Sequence, residues 1–388
     1  MGDHSPRMPY RPGSSSGPPA RSAPVSGKTP AAPARDKTNA SERPKASFKD
    51  GGVAGARDSV RDNDRPRGRW PAAQHFAALD LGTNNCRLLI ARPHADGFAV
   101  VDAFSRIVRL GEGLAATGRL SDAAIERTLT ALKICAEKLK RRNVTLSRSV
   151  ATEACRRATN GPDFIARALA ETGIHLDIIS AEEEARLAVL GCHVLIEPGD
   201  DPALIFDIGG GSTELVLVDT KGPVPRVLDW HSAPWGVVSL TEHIGHAQDR
   251  EGRLAAYARM RAIVAESFAG FASRLPRDIV RPRLLGTSGT VTTLASVHLE
   301  LSHYDRSQVD GLIVPAASMR RISRDLSGMA MSERATLPCI GTERADLVVA
   351  GCAILETIMD LWPAERLGVA DRGIREGILR RLMNRERL

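Results

Sequence analysis

Cysteine is sparse in this chain, and none of it is arranged for metal or redox chemistry. The six thiols (Cys86, Cys135, Cys155, Cys192, Cys339 and Cys352) form no C-x-x-C pair and no zinc-type spacing. A secretory hydrophobic segment is also absent, and so is any apolar run long enough to cross a bilayer. These absences exclude a disulfide scaffold and a membrane span, and they predict reduced thiols in a cytoplasmic protein with no membrane partner. An excess of charge is missing from the body of the chain as well. The formal net charge is +7, but residues 1–72 hold 14 of the 53 Lys/Arg and 7 of the 46 Asp/Glu, which leaves 39 of each sign elsewhere. The basic balance belongs to the tail, so no specific nucleic-acid partner is expected.

Residues 1–72 are rich in Pro, Gly, Ser, Ala and Arg and show no hydrophobic period. Such a segment cannot bury enough apolar surface to offset its ordering entropy, and it is expected to be a disordered basic tail.

What the chain does have is one hairpin pattern written twice. Leu204 to Phe206 lead into Asp207, three glycines (Gly209, Gly210, Gly211), Ser212, Thr213 and Glu214, and then a second apolar run to Val218. Ala77 to Leu79 lead likewise into Asp80, Gly82, Thr83, Asn84 and a second run to Ala91. Each reads as strand, tight turn, strand. Glycines let backbone approach a ligand closely, and their free N–H groups can cradle an anion. An acid at the strand end repels a bare phosphate. It becomes useful where a divalent cation or an attacking water lies between them. A glycine-rich turn alone is more simply a turn, but its repetition predicts two similar halves, each offering a phosphate-handling hairpin to a shared cleft.

Strands alternate with helices in both halves. Each half is expected to run as a three-strand meander followed by αβαβα. The fold class is therefore α/β, with a domain over residues 73–199, another over 200–388, and an interdomain cleft. That arrangement is similar to the ribonuclease-H-like domains of actin, the acetate and sugar kinases and Hsp70-type chaperones. Ser180 with Glu183 fits a capping box opening a helix, and a carboxylate at such a junction can serve as a general base. Spacing alone leaves Glu183 and Glu184 both open. The Gly286–Thr290 turn is expected to lead into a helix whose N-terminus, at Ser288 and Gly289, points at the ligand.

In chain order, Asp80-x-Gly-Thr-Asn84, Arg109-Leu-Gly-Glu-Gly-Leu114, Thr152-x-x-x-Arg156-x-x-x-Asn160, Glu183-Glu-Ala-Arg186, Asp207 to Glu214, Gly286-Thr-Ser-Gly-Thr290 and Arg375-Glu-Gly377 resemble the exopolyphosphatase / guanosine pentaphosphate phosphohydrolase (Ppx/GppA) family in its short form. The likeness runs over about residues 75–380. It implies a Mg2+-dependent, cytoplasmic phosphohydrolase acting on inorganic polyphosphate or pppGpp. Carried over by residue, it implies Glu184 as catalytic base and Asp207 as the aspartate that handles water and metal. Glu214 becomes a second acid at the metal. Gly209 to Ser212 would hold phosphate through backbone N–H groups, Arg156 would neutralise phosphoryl oxygens, and Asp80, Gly82, Thr83 and Asn84 would form the opposing wall. Arg109, Ser288 and Gly289 complete the expected phosphate contacts. A homodimer is left open. Two competing readings are a kinase or ATPase of the same superfamily, distinguished by ADP formation from ATP, and a non-catalytic polyphosphate or alarmone sensor, distinguished by binding without phosphate release.

Overall fold

The meanders form because their central strands are apolar on both faces. In the computed structural model, β1 (His75–Leu81), β2 (Asn85–His94) and β3 (Gly97–Ile107) run antiparallel, and β4 (Val144–Ala151) and β5 (Leu176–Ile178) continue the sheet in parallel, in the order β3-β2-β1-β4-β5. The second half repeats this with β6 (Ala203–Ile208), β7 (Thr213–Asp219), β8 (Arg226–Ala233), β9 (Arg283–Thr287), β10 (Ile313–Pro315) and β11 (Arg366–Ala370), in the order β10-β11-β9-β6-β7-β8. It is the same sheet order with one short antiparallel edge strand, β10, added. Strands β1, β6 and β7 are buried almost throughout, as expected where layers cover both faces. The edge strands β3 and β8 are far more exposed.

The structure describes residues 74–95, 97–222, 225–275 and 282–385, all within one compact unit, Arg65–Leu388. The tail expected over 1–72 lies outside the described residues.

Packing between the halves is reciprocal. The helix Ile374–Arg385, which the sequence assigns to the second half, lays Ile378, Leu379 and Leu382 against Phe76, Ala78 and Leu89 of the first sheet. In return the helix Ala181–Cys192 places Ala185, Val189 and Cys192 against Ala203, Ile205 and Val216 of the second. These two helices cross with their backbones touching. A β-carbon on Gly377 would overlap the Leu187 carbonyl, and one on Gly191 would overlap the Gly373 carbonyl. This crossing carries Glu184 to the seam between the sheets.

Candidate active site

Both hairpin turns are built the same way. The Gly82 N–H donates to the Asn85 carbonyl at 2.9 Å, and the Gly209 N–H donates to the Ser212 carbonyl at 2.9 Å. In each turn the next carbonyls are tied to the segment that follows the third strand, a loop in the first half and the start of the helix Val237–Ile244 in the second. Thr83 O accepts from Gly111 N (2.9 Å) and Asn84 O from Val108 N (2.8 Å), while Gly209 O accepts from Val237 N (3.0 Å) and Gly210 O from Val238 N (2.8 Å). With their carbonyls held by the scaffold, the amides of Gly210 and Gly211 find no protein acceptor among the described residues. They are left for an anion. The two turns also meet: a β-carbon on Gly210 would stand 2.9 Å from Thr83 Cβ, so the approach is closed to any larger residue.

Strand register then brings the acids together. Asp207 on β6 lies directly opposite Glu214 on β7, and at the matching position of the first half Asp80 lies opposite Arg87. Like charges directly across a strand pair are unfavourable, so the Asp207–Glu214 pair needs a reason. Glu214 is 2% exposed, and its Oε1 accepts from Ser212 Oγ (2.7 Å) and Ser232 Oγ (2.9 Å). Glu184 is 7% exposed and accepts from an Arg156 guanidinium N–H at 3.1 Å. Arg156 is itself fixed by donating to Glu153 Oε2 (2.7 Å) and the Ile179 carbonyl (2.9 Å). The two adjacent glutamates have different surroundings: Glu184 lines the cleft and Glu183 does not. Glu183 accepts from Arg148 (2.8 Å) and Arg381 (3.2 Å), away from the cleft. Its capping partner Ser180 accepts from the Glu183 N–H, as the helix-start pattern requires.

Burial dominates the electrostatics. It raises Asp207 to about 6, with the Asp80 charge adding to it, and raises Glu214 to about 7, with the Asp207 charge adding and Ser212 and Ser232 opposing. Glu184 is pushed well above the usual carboxylate range by burial and then by Glu214, against the pull of Arg156. Asp80 is raised too, by burial first, although Arg87 and Arg375 pull the other way. Four acids that resist ionising alone are an arrangement that a cation relieves.

The cleft between the sheets is lined by Asp80, Gly82, Thr83, Asn84, Glu184, Asp207, Gly209, Gly210, Gly211, Ser212, Glu214, Ser288 and Gly289. Two expected residues stand apart from it. Arg156 sits behind Glu184, on the wall of a neighbouring cavity. Arg109, with φ 47°, reaches across to the other half, where it pairs with Asp346 at 3.0 Å and donates to the Glu343 carbonyl at 3.4 Å. Among the cleft residues that the sequence does not single out are Arg87, Glu153, Thr293 and Arg344. Arg344 donates to Thr293 Oγ1 at 2.7 Å. Its only signal was a charge opening an otherwise apolar helical run. Ser288 adopts φ 93°, a left-handed backbone that favours glycine, and its buried hydroxyl has no protein partner among the described residues.

The donor set suits a hard cation. Asp80 Oδ1 is buried in the cleft without a protein partner among the described residues, and Asp207 and Glu214 face each other nearby. Among the described residues no three His, Cys, Asp or Glu side chains form a cage. Mg2+ ordinarily needs none, since it takes one or two carboxylates and completes its shell with water and phosphate oxygens.

Comparison with known proteins agrees with this geometry. The Ppx/GppA phosphatase family profile matches residues 89–386. The chain belongs to that family. It is 33% identical to exopolyphosphatase 2 of Mycobacterium tuberculosis over 321 residues, covering 79% of this chain and 98% of that one. It is 30% identical to the guanosine-5'-triphosphate,3'-diphosphate pyrophosphatase of Aeromonas salmonicida, covering 78% of this chain and 58% of the larger enzyme. Among solved structures, the Aquifex aeolicus member of the Ppx/GppA family superposes with a TM-score of 0.67 at 28% identity, over 81% of this chain and 98% of the other. The ribonuclease-H-like α/β architecture of two mixed sheets is thus the family's own. No helix among the described residues is long and apolar enough to cross a membrane.

Proposed function

We propose that this Ppx/GppA family hydrolase releases the terminal phosphate of inorganic polyphosphate, or the 5′ γ-phosphate of pppGpp to leave ppGpp. The observation that carries the reading is the placement of one buried glutamate, Glu184, in the same cleft as the Asp207 turn, with Arg156 fixing its orientation. The amides of Gly210 and Gly211 orient the terminal phosphoryl group, with Thr83 and Asn84 closing over it. Glu184 holds the attacking water and takes its proton, a task favoured by a pKa that burial raises well above the usual carboxylate range. Little covalent chemistry falls to the protein, so its contribution is positioning and charge stabilisation in a dry site. Asp207 and Glu214, with Asp80 opposite, are the residues that would hold Mg2+, which when bound neutralises charge on the phosphoryl oxygens. Contact of the two turns excludes bulk water from the reacting group.

The reading is tested with the purified protein and Mg2+, assayed for orthophosphate from polyphosphates of several lengths and from pppGpp in parallel. Release from either substrate supports it, and the ratio identifies the preferred one. ADP formation from ATP with both left intact would replace it by a kinase or ATPase.

A further inference from the structure

A second cavity lies behind the catalytic carboxylates. It shares Glu153 and Ser212 with the main cleft and is otherwise walled by residues that include Arg156, Ala181, Trp230 and Ser232. Two of these hold the reacting acids from behind, Arg156 by its bond to Glu184 and Ser232 by its bond to Glu214. Glu153 and Ser212 line both cavities, and the Arg156–Glu153 ion pair (2.7 Å) stands between them. Arg156 keeps about a quarter of its side chain exposed.

In-line displacement sets the direction of traffic. The attacking water and the leaving group occupy opposite sides of phosphorus. The water oxygen bonds to phosphorus as the bridging P–O bond breaks. One water proton passes to Glu184, and the bridging oxygen stays with the shortened substrate. On that reading the shortened substrate would extend toward Ser288, Thr290 and Arg344, which line the main cleft and do not line the second cavity. Orthophosphate formed beside Glu184 would then border the second cavity, whose wall includes Arg156. We propose that orthophosphate leaves through the second cavity, by a swing of Arg156 away from Glu153, while the shortened chain remains in the main cleft. The hydroxyls of Ser212 and Ser232 and the Arg156 guanidinium are its polar lining. This rests on the hydrolase reading above.

The test narrows the second cavity from a residue outside the reaction centre. Ala181 sits on its wall in the first turn of the Ala181–Cys192 helix and is absent from the main cleft. With tripolyphosphate, Ala181→Phe is expected to lower kcat about tenfold and KM in proportion, with kcat/KM little changed, because product release becomes limiting. Rapid quench should then show a first-turnover burst of pyrophosphate, while a phosphate-binding reporter shows orthophosphate lagging. Trp230→Ala, which widens the cavity, should show no burst. Should Ala181→Phe fail to fold, Ala181→Leu carries the same test. Narrowed variants that release both products together at the wild-type rate overturn the exit route. A wild-type protein that releases no orthophosphate from tripolyphosphate, polyphosphate or pppGpp overturns the hydrolase reading itself.

Discussion

Arg109 of the first half and Asp346 of the second form an ion pair at 3.0 Å that bridges the two halves beside the cleft. Gly113 N–H donating to Glu242 Oε1 at 2.9 Å strengthens the same seam. The Arg109 side chain is 35% exposed and that of Asp346 19%, so as a static bond the pair contributes modestly, about 1 kcal/mol or less. Its larger consequence is competition, since an anionic chain entering the cleft can draw Arg109 from Asp346. Asp346→Asn should bind tripolyphosphate at least as tightly as wild type, whereas Arg109→Ala should bind it several-fold more weakly. Identical affinities for the two variants, measured by calorimetry, would reduce the pair to a structural contact.

Ser232 is a positioning residue for Glu214. It lies directly across from Glu214 in the β7–β8 register and supplies one of two hydroxyl donors to Oε1. Removing one donor from a buried acceptor costs about 1–3 kcal/mol. It also removes an influence that lowers the Glu214 pKa. The acid limb of the Ser232→Ala pH–rate profile should move upward, with kcat at high pH less affected. A uniform loss across the whole pH range would point to general disruption instead.

The raised carboxylates set a pH dependence of stability. Asp207 and Glu214 titrate at about 6 and about 7 in the folded chain, against about 4 when unfolded. Between about pH 4 and 7 the folded state thus binds more protons at these sites, and their contribution to stability is lost as pH rises through that window. Thermal unfolding without divalent cation should show a flatter pH profile for Glu214→Gln than for wild type. Mg2+ should raise the wild-type Tm more at pH 8 than at pH 5.5. An equal Mg2+ shift at both pH values would separate the cation from these acids.

The helix crossing tolerates no side chain. Gly377→Ala places a methyl group into the Leu187 carbonyl and must separate the two helices that join the sheets. Overpacking of this kind costs about 1–3 kcal/mol. Because Glu184 rides on one of these helices, activity should fall along with the denaturant midpoint. Unchanged unfolding would show that the crossing is slack.

Local pattern made the hairpins legible, because an acid, a glycine and a small polar turn between apolar runs leave few other folds. Glu184 could not be separated from Glu183 by spacing, since the distinction lies in Arg148 and Arg381, which only tertiary packing brings to Glu183. The resemblance of its loop implies Arg109 as a phosphate contact, and its pairing with Asp346 depends on how the halves close. Ser232 carried no signal at all, as its role follows from strand register. The return of Ile374–Arg385 to the first sheet was hidden for the same reason, since an amphipathic helix does not encode which sheet it covers.

The central claim is that Glu184 is the base of a phosphate-releasing reaction. The most direct measurement is orthophosphate release by wild type and Glu184→Gln, with Mg2+, on polyphosphate and on pppGpp. The expected result is a folded variant that still binds substrate and turns over about 10²–10⁴-fold more slowly. A folded Glu184→Gln protein releasing phosphate at the wild-type rate would contradict it.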